Sequence, residues 1–370
     1  MVLCFLLALT HPGDSLSAVF WNLENFFDWR NDSTSVSDAE FSSRGARHWT
    51  RKRFDAKCNA IAKTLLWTAP ETGRLPDVVG FAEVENSFVL KRLLRQTLLR
   101  KLDYKIVHFD SPDRRGIDVA LLYRESILEL IDAKPCHLYD TVNAGPSGLD
   151  SCRIMPTRDI LLCRFRLKDP PDVNGEDASG GDFAILENHH PSKYGGTAVS
   201  DARRRAAVGR LRALADSVVA VGTSRILAFG DFNDTPDNPV FLSLEPTLLP
   251  LYSDCVRRGE GTIRFDGRWE LIDLAFASPG RMGSGLVSGR GPNLFGRDSP
   301  EGAYRPKTAA RRPDSADLWA GPMRILRPPF LRTRDTVHGG WKPLRTYSGP
   351  RYLGGVSDHC PILVRLAPPE

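Results

Sequence analysis

The stretch RILAFGDFNDTP, residues 225–236, decides how the chain is to be read. Ile226 to Phe229 is a short apolar run of the kind that fills a buried strand. Within two residues of its end come Asp231 and Asn233, followed by Asp234, Thr235 and Pro236. Burying such groups is expensive unless each finds a partner. Two readings are open here: a hairpin turn, or a site built at the carboxyl end of a strand. The second predicts matching constellations at other strand ends.

Runs of the same habit recur. FWNLENFFD sets Asn22 and Glu24 on one face of a strand, because side chains alternate with a period of two. VVGFAEVEN closes an apolar run with Glu83, and FAILENHHPS closes another with Asn188 and His189. WELIDLAFAS embeds Asp273 among apolar neighbours, and GGVSDHCPILV places Asp358 and His359 just ahead of a final strand. Each has a plain structural alternative. Glu83 could cap the next helix, His189 could be a hydrogen-bonded core histidine, and Asp273 could anchor a turn. Together, these polar strand ends cost stability unless they meet and satisfy one another.

The residue types suit one chemistry. Magnesium prefers hard oxygen ligands and takes one or two carboxylates from a protein while keeping several waters. Glu83 and Asp358 supply carboxylates, and Asn22 a neutral oxygen. His189 and His359 titrate near neutral pH, and with Asp231 and Asp273 they can move protons. Asparagines hydrogen-bond phosphate oxygens without adding charge. The set is equipment for in-line attack of water on a phosphodiester or phosphomonoester.

Helical patterns lie between the strands. Residues 51–67 carry Phe54, Cys58, Ile61, Ala62 and Leu65 on one stripe, SFVLKRLLRQTLLRKL (87–102) repeats leucine at helical spacing, and residues 200–219 do so with arginines outside. Helices mixed with direct strand-to-strand connections predict a mixed α/β architecture. With 370 residues, 41% of them hydrophobic, a sizeable core is affordable. Fifty basic against 45 acidic residues leave a charge of +5, which tolerates a phosphate-bearing partner without demanding one. The seven cysteines show no CxxC pair and no zinc spacing, so a disulfide framework is not expected, a single bridge staying open.

VLCFLLALT (2–10) resembles the apolar part of a signal peptide, yet no Lys or Arg precedes it. Residues 1–17 therefore read as a signal-like or disordered N-terminus, and the protein as either secreted or cytoplasmic. Residues 18–368 are expected to form a single domain and the chain to be a monomer. No later segment is long and apolar enough to span a membrane. DPPDVNGEDASGGD (169–182) and the stretch from Pro279 to Pro322 read as insertions, and the composition of the second (279–322) predicts a flexible one.

The motifs WNLEN, FAEVEN, RRGIDVALLY, NHHPS, GDFND, LIDLAFAS and SDH follow one another between residues 18 and 366. They resemble those of the endonuclease/exonuclease/phosphatase superfamily, to which deoxyribonuclease I and the abasic-site endonucleases belong. The chain is most similar to a bacterial branch reading WN-x-EN-x-FD, NHWPS-x-x-GG and GPRYLGG-x-SDH. The resemblance implies a four-layer α/β sandwich: two packed mixed β-sheets flanked by helices, with catalysis where strand ends meet. GDFND is then a wall of the active site rather than a hairpin turn.

Carried over residue by residue, Glu83 resembles the principal metal ligand, assisted by Asn22 and Asp358. Glu24 stands where many relatives carry an Asp near the metal. Asn22 and Asn233 would position phosphate oxygens, and His359 would lie against Asp273. Asp231 would orient or deprotonate the attacking water, and His189 would stabilise the transition state or protonate the leaving oxygen. Either His359 or Asp231 is the general base. The implied cofactor is Mg2+, with Mn2+ able to replace it. His190 stands where close relatives show Trp, which predicts altered substrate stacking. Arg115 and Asp118 are candidates for phosphate contact or for a structural role alike.

Basic clusters at 44–57 and 201–212 read as solvated helix faces. A third, at 345–352, interleaves Arg345 and Arg351 with Tyr347 and Tyr352, a composition suited to phosphates and stacked bases at the rim of a cleft. The leading expectation is a metal-dependent nuclease acting on nucleic acid. The alternative is a phosphodiesterase or phosphatase for a lipid or small-molecule phosphate, since one fold hosts many substrates. A catalytically inactive binding module would be expected to have lost some of Glu83, His189, Asp231, Asn233, Asp273 and His359, and all six are present.

Overall fold

The computed structural model describes residues 15–32, 36–142, 151–168, 182–193, 197–279 and 319–366. Most of the signal-like segment and nearly all of the two inserted stretches lie outside these residues, while Leu16 and Ser17 already belong to the first strand.

Twelve strands build two sheets. In chain order they are β1 (Leu16–Phe26), β2 (Val78–Val84), β3 (Tyr104–His108), β4 (Asp118–Arg124), β5 (Leu128–Cys136) and β6 (Ile160–Leu167). Then come β7 (Asp182–His189), β8 (Arg225–Asp231), β9 (Leu249–Pro250), β10 (Asp273–Ala277), β11 (Arg324–Ile325) and β12 (Ile362–Leu366). The first sheet has the order β11-β12-β1-β2-β4-β3 and the second β9-β10-β8-β7-β6-β5. The main helices are α1 (Arg51–Thr72), α2 (Ser87–Gln96) and α3 (Thr197–Ala220).

Alternation along the strands creates the layers. Leu16, Ala18 and Phe20 of β1 join Ile185 and Phe229 in the core between the sheets, where the rings of Phe20 and Phe229 stand 5.7 Å apart. Val19, Trp21 and Leu23 face the other way, into a cluster with Phe54, Ile61 and Leu65 of α1 and Leu90 and Leu93 of α2. On the second sheet Val208, Leu211 and Ala215 of α3 close the core. Two mixed sheets with flanking helices are the architecture expected from the motifs.

Each sheet holds one parallel pair, β1 with β2 and β7 with β8, and the remaining pairings are antiparallel. Parallel strands need a crossover, supplied here by α1 and α3. The parallel strands therefore finish at one end of the sandwich. Antiparallel β10 starts at that end, with Asp273 paired to Asp231, and so does β12, with Ile362 paired to Phe20. This topology brings polar residues far apart in sequence to a single edge.

Three details differ from the reading of the sequence. Strand β5 has no counterpart among the apolar runs of the sequence, and it carries Pro135, which an edge strand tolerates. The leucine-rich run breaks at Thr97 into α2 and a short 3-10 helix, Leu98–Lys101. Asn86, not Glu83, caps α2, accepting from the amides of Phe88 at 2.9 Å and Val89 at 3.2 Å. The cysteines among the described residues are free, and no helix there is long and apolar enough to cross a membrane.

Candidate active site

Asp231 lies at the centre of the converging ends. Its Oδ2 accepts from Asn22 Nδ2 at 3.0 Å, and its Oδ1 from the Asn233 amide at 2.9 Å. His189 Nε2 stands 3.6 Å from Oδ2 on one side, and His359 Nε2 4.0 Å on the other. Burial pushes the Asp231 carboxyl up to about 7, with His359 opposing and Asp273 adding to the shift. Burial alone would discharge His359. The Asp273 carboxylate, accepting from Nδ1 at 2.8 Å, overrides it and holds the imidazole well above its ordinary value. His189 goes the other way: burial, then Arg158 and Arg115, hold it well below, so it is uncharged at neutral pH. Two histidines around one carboxylate thus take opposite charge states.

His359 is fixed from several sides. Its amide donates to Ser357 Oγ at 2.9 Å, and its carbonyl accepts from Trp21 Nε1 at 2.9 Å. Ser357 in turn donates to the Asn22 carbonyl at 2.6 Å. The Asp273 amide donates to Thr262 Oγ1 at 3.3 Å.

Oxygen donors gather beside this centre. Glu83 Oε2 accepts from the Asn25 amide at 2.7 Å. Arg345 Nη2 bridges Glu24 Oε1 at 2.8 Å and Asp358 Oδ2 at 2.9 Å. The other oxygen of Glu24 accepts from the Thr346 amide at 2.9 Å. Asn22 Oδ1 accepts from the Glu24 amide at 2.9 Å and keeps one lone pair. Beneath them the buried Lys57 donates to the Glu24 carbonyl at 2.7 Å and to Thr346 Oγ1 at 2.9 Å. Burial lowers Lys57 to about 8, while burial and Asp358 raise Glu24 to about 7.

Backbone strain marks the same place. Of six non-glycine residues with positive φ among the described residues, four belong to it: Glu24 (49°), Asn25 (57°), Glu83 (61°) and Asn233 (51°). Such conformations cost on the order of 1–3 kcal/mol each and persist where the surroundings over-determine them. The pairing of β2 also shifts register around Glu83, which re-aims its side chain. The turn at Glu24 and Asn25 likewise ends the period-two alternation, so Glu24 meets Arg345 and does not share the partners of Asn22.

A cleft of about 840 Å³ opens over these groups, lined by Glu24, Glu83, Asp358 and His359 and by Arg47, Arg115, Arg158, Arg203 and Arg345. Asn22, His189, Asp231, Asn233 and Asp273 lie under its floor, tied to the lining through the contacts above. Arg115 reaches the cleft, its Nε 3.5 Å from Asp113.

Other expectations fall away. Asp118 is buried and spent on His108 Nε2 at 3.1 Å and the Ser111 amide at 2.9 Å. His190 is buried edge-on against Phe232, 4.6 Å between centroids, and cannot stack on a substrate. Tyr347 is buried with its hydroxyl on the Arg47 carbonyl, and Tyr352 packs against it, so neither offers a face to the cleft. Arg351 is exposed away from the lining. Nor are the first two basic clusters merely solvated faces, since Arg47 and Arg203 line the cleft and Lys57 lies beneath it. Lys57 had a signal in the sequence: it falls inside the apolar stripe of α1, three residues after Phe54 and four before Ile61.

The family model described as "Endonuclease/Exonuclease/phosphatase family" matches residues 17–285, well over half of the chain. Among solved structures, selenomethionine TDP2 from Caenorhabditis elegans is similar with a TM-score of 0.51 at 12% identity, over 96% of this chain and 75% of that one. An endonuclease/exonuclease/phosphatase family protein from Bacteroides thetaiotaomicron gives 0.49 at 16% identity, over 95% and 97%. The human Nocturnin catalytic domain with bound sulfate gives 0.49 at 14%, over 96% and 94%. No curated protein matches the chain.

Proposed function

We propose, since this chain belongs to the endonuclease/exonuclease/phosphatase family, that it hydrolyses phosphoester bonds with a divalent metal ion and that nucleic-acid phosphodiesters are its substrates. The observation that carries the reading is the buried Asp231 carboxylate, set between two asparagines and two histidines, one charged and one neutral, beside an arginine-lined cleft.

The donor set fits a hard divalent cation. Glu83 commits only one oxygen to the protein among the described residues, and Asp358 keeps Oδ1 free of a hydrogen bond, 3.9 Å from His359 Nε2. These two carboxylates would hold the ion, with the remaining lone pair of Asn22 in support. Both oxygens of Glu24 are engaged, which makes its task the holding of Arg345. A bound magnesium or manganese ion would neutralise charge on a phosphate oxygen.

The rest of the reaction falls to side chains. Water attacks phosphorus opposite the leaving oxygen, one P–O bond forming as the other breaks, and the departing oxygen takes a proton from solvent. Asp231, ionised above about pH 7, takes the proton of that water, and the charged state of His359 leaves Asp231 as the better base of the two. The His359 imidazolium stabilises the charge that develops on the phosphoryl group. Uncharged His189 donates a hydrogen bond there in preference to a proton. Asn22 and Asn233 each have a second amide hydrogen for phosphate oxygens.

A second reading has one observation in its favour: the described lining of the cleft contains no Phe, Tyr or Trp on which a base would stack. That favours a small-molecule or lipid phosphoester. The deciding experiment is a hydrolysis panel of plasmid DNA, RNA, abasic duplex, sphingomyelin and inositol phosphates, with magnesium, manganese or chelator. Metal-dependent cleavage of a nucleic acid is expected. Turnover confined to the lipid or the inositol phosphates would transfer the assignment, and no turnover of any substrate would defeat both readings.

A further inference from the structure

We propose that Phe265 and Arg268 form a platform for the base and phosphate of a nucleotide flanking the scissile bond, so that the substrate strand is held partly from outside the cleft. The inference rests on the nucleic-acid reading above and adds to it the surface on which a base stacks.

The two residues belong to a hairpin, Ile263–Phe265 with Arg268–Glu270, in which Phe265 pairs directly with Arg268. Its turn is Asp266-Gly267, with φ of 46° and 76°, the two positive values that a tight hairpin turn of matching twist demands. The hairpin is rooted in the active site. Ile263 pairs with His359 in an antiparallel bridge, and the Cys360 amide donates to the Thr262 carbonyl at 2.8 Å. At about 3.3 Å per strand residue, Phe265 stands about 7 Å along the strand from that pairing. It is within reach of the nucleotide next to a phosphate held at His359.

Alternation gives the hairpin two faces. One is spent: Arg264 Nη1 donates to the carbonyls of Gly339 at 2.7 Å and Trp341 at 3.0 Å, and Trp269 lies under the Arg327 guanidinium at 5.1 Å. The other carries Phe265, Arg268 and Glu270. It adjoins the cleft, because Glu270 stands 3.9 Å from Lys193, which follows Pro191 and Ser192 of the cleft lining. Phe265 is 71% exposed there, and Arg268 is exposed opposite it. A ring left in water costs free energy that a stacked base recovers. Trp341 of the neighbouring hairpin is already taken, with the Arg334 guanidinium 4.3 Å over its ring. An aromatic face beside a guanidinium, continuing an arginine-lined cleft, matches a chain in which bases and phosphates alternate. It supplies the stacking surface that the cleft lining lacks.

The test is binding, with chelator present, by the full chain and by Phe265→Ala, Phe265→Tyr and Val337→Ala, each checked for folding by circular dichroism. Val337, 78% exposed on the neighbouring loop, controls for the mere loss of apolar surface. The probes are a short oligothymidine and the same strand with abasic sugars throughout, read by anisotropy, and phosphatidylglycerol vesicles, read by co-sedimentation. Phe265→Ala is expected to weaken oligothymidine binding by about 5- to 150-fold, the range of one stacked base, and to leave the abasic strand unchanged. Phe265→Tyr and Val337→Ala should keep wild-type affinity for both. Equal loss with both strands, or loss with neither, would overturn the inference and leave the nucleic-acid reading standing. Vesicle binding lost in Phe265→Ala and Val337→Ala, with oligothymidine affinity unchanged, would give the face to a lipid surface and overturn it as well. Wild type binding neither strand would defeat the nucleic-acid reading itself, and the inference with it.

Discussion

The Nδ1 atom of His359 lies 2.8 Å from Oδ2 of Asp273, a contact joining groups 86 positions apart in sequence. It sets the charge of the ring. Burial would lower the imidazole, and the carboxylate raises it well above its ordinary value. The stabilisation is fully present below about pH 6.5 and is lost as pH rises through the folded value.

Removing either partner has separable consequences. His359→Ala is expected to lower kcat by about 100- to 10,000-fold, a defect that saturating magnesium leaves untouched. Asp273→Asn keeps the ring but releases it to the effect of burial, so the imidazolium is lost at a lower pH. The measurement is kcat against pH, and the alkaline limb of Asp273→Asn should sit below that of wild type. Coincident limbs would show that another group holds the ring charged.

Asp231 governs the acid limb. Its carboxyl, raised to about 7, must be ionised to accept a proton, so activity should climb through about pH 7. The sign for stability is opposite. A raised carboxyl contributes stability below its ordinary value of 3.8, and that contribution fades as pH rises through about 7. Asp231→Asn should therefore be nearly inactive and yet more stable than wild type at alkaline pH, read as Tm. A variant less stable than wild type at every pH would show that the charge is satisfied in the folded state.

Much of this centre was legible in the sequence for a physical reason: polar residues closing apolar strands are costly unless they meet. GDFND, NHHPS and LIDLAFAS therefore pointed to residues that the structure brings together, and the apolar run Ile226–Phe229 lies inside β8. What stayed hidden depends on contacts that no local pattern encodes. Tyr347 beside Arg345 looked like a stacking surface, and only the packing against Trp49 and Tyr352 shows it to be core. The bridge from Arg345 to Glu24 spans 321 positions. Asn22 and Glu24 share a face only while the strand stays regular, and the positive φ of Glu24 ends that regularity.

The core carries a titratable group outside the reaction. Glu187 of β7 is fully buried between the sheets, against Gly80, and no partner lies within ordinary hydrogen-bond geometry of either carboxyl oxygen among the described residues. Burial raises its pKa well above the ordinary value, and the Phe81 backbone, which opposes the shift, does not offset it. The fold is therefore most stable with this group protonated, and loses stability as pH rises from 4.5 towards the folded value. Glu187→Gln keeps the shape without the proton. The Tm of the variant minus that of wild type should grow between about pH 5 and about pH 9. A constant difference would mean that Glu187 carries its charge at no cost.

The arginines of the cleft separate the two substrate readings. Arg47 is tied to Glu40 at 2.6 Å and to the Gly349 carbonyl, whereas Arg115 and Arg203 stand 3.5 Å from Asp113 and Asp140 and are freer to turn towards a phosphate. Each phosphate neutralised on a nucleic acid releases counterions, so log affinity falls linearly with log salt, and losing one such contact flattens the slope by about 1. Arg115→Ala and Arg203→Ala should each weaken binding of a DNA duplex and flatten that slope, Arg47→Ala less, and Arg351→Ala, which lies away from the cleft, not at all. The measurement is fluorescence anisotropy over a salt series, with chelator present to prevent cleavage. A slope unchanged in Arg115→Ala and Arg203→Ala would remove the polyanion from the cleft and favour the small-molecule or lipid reading.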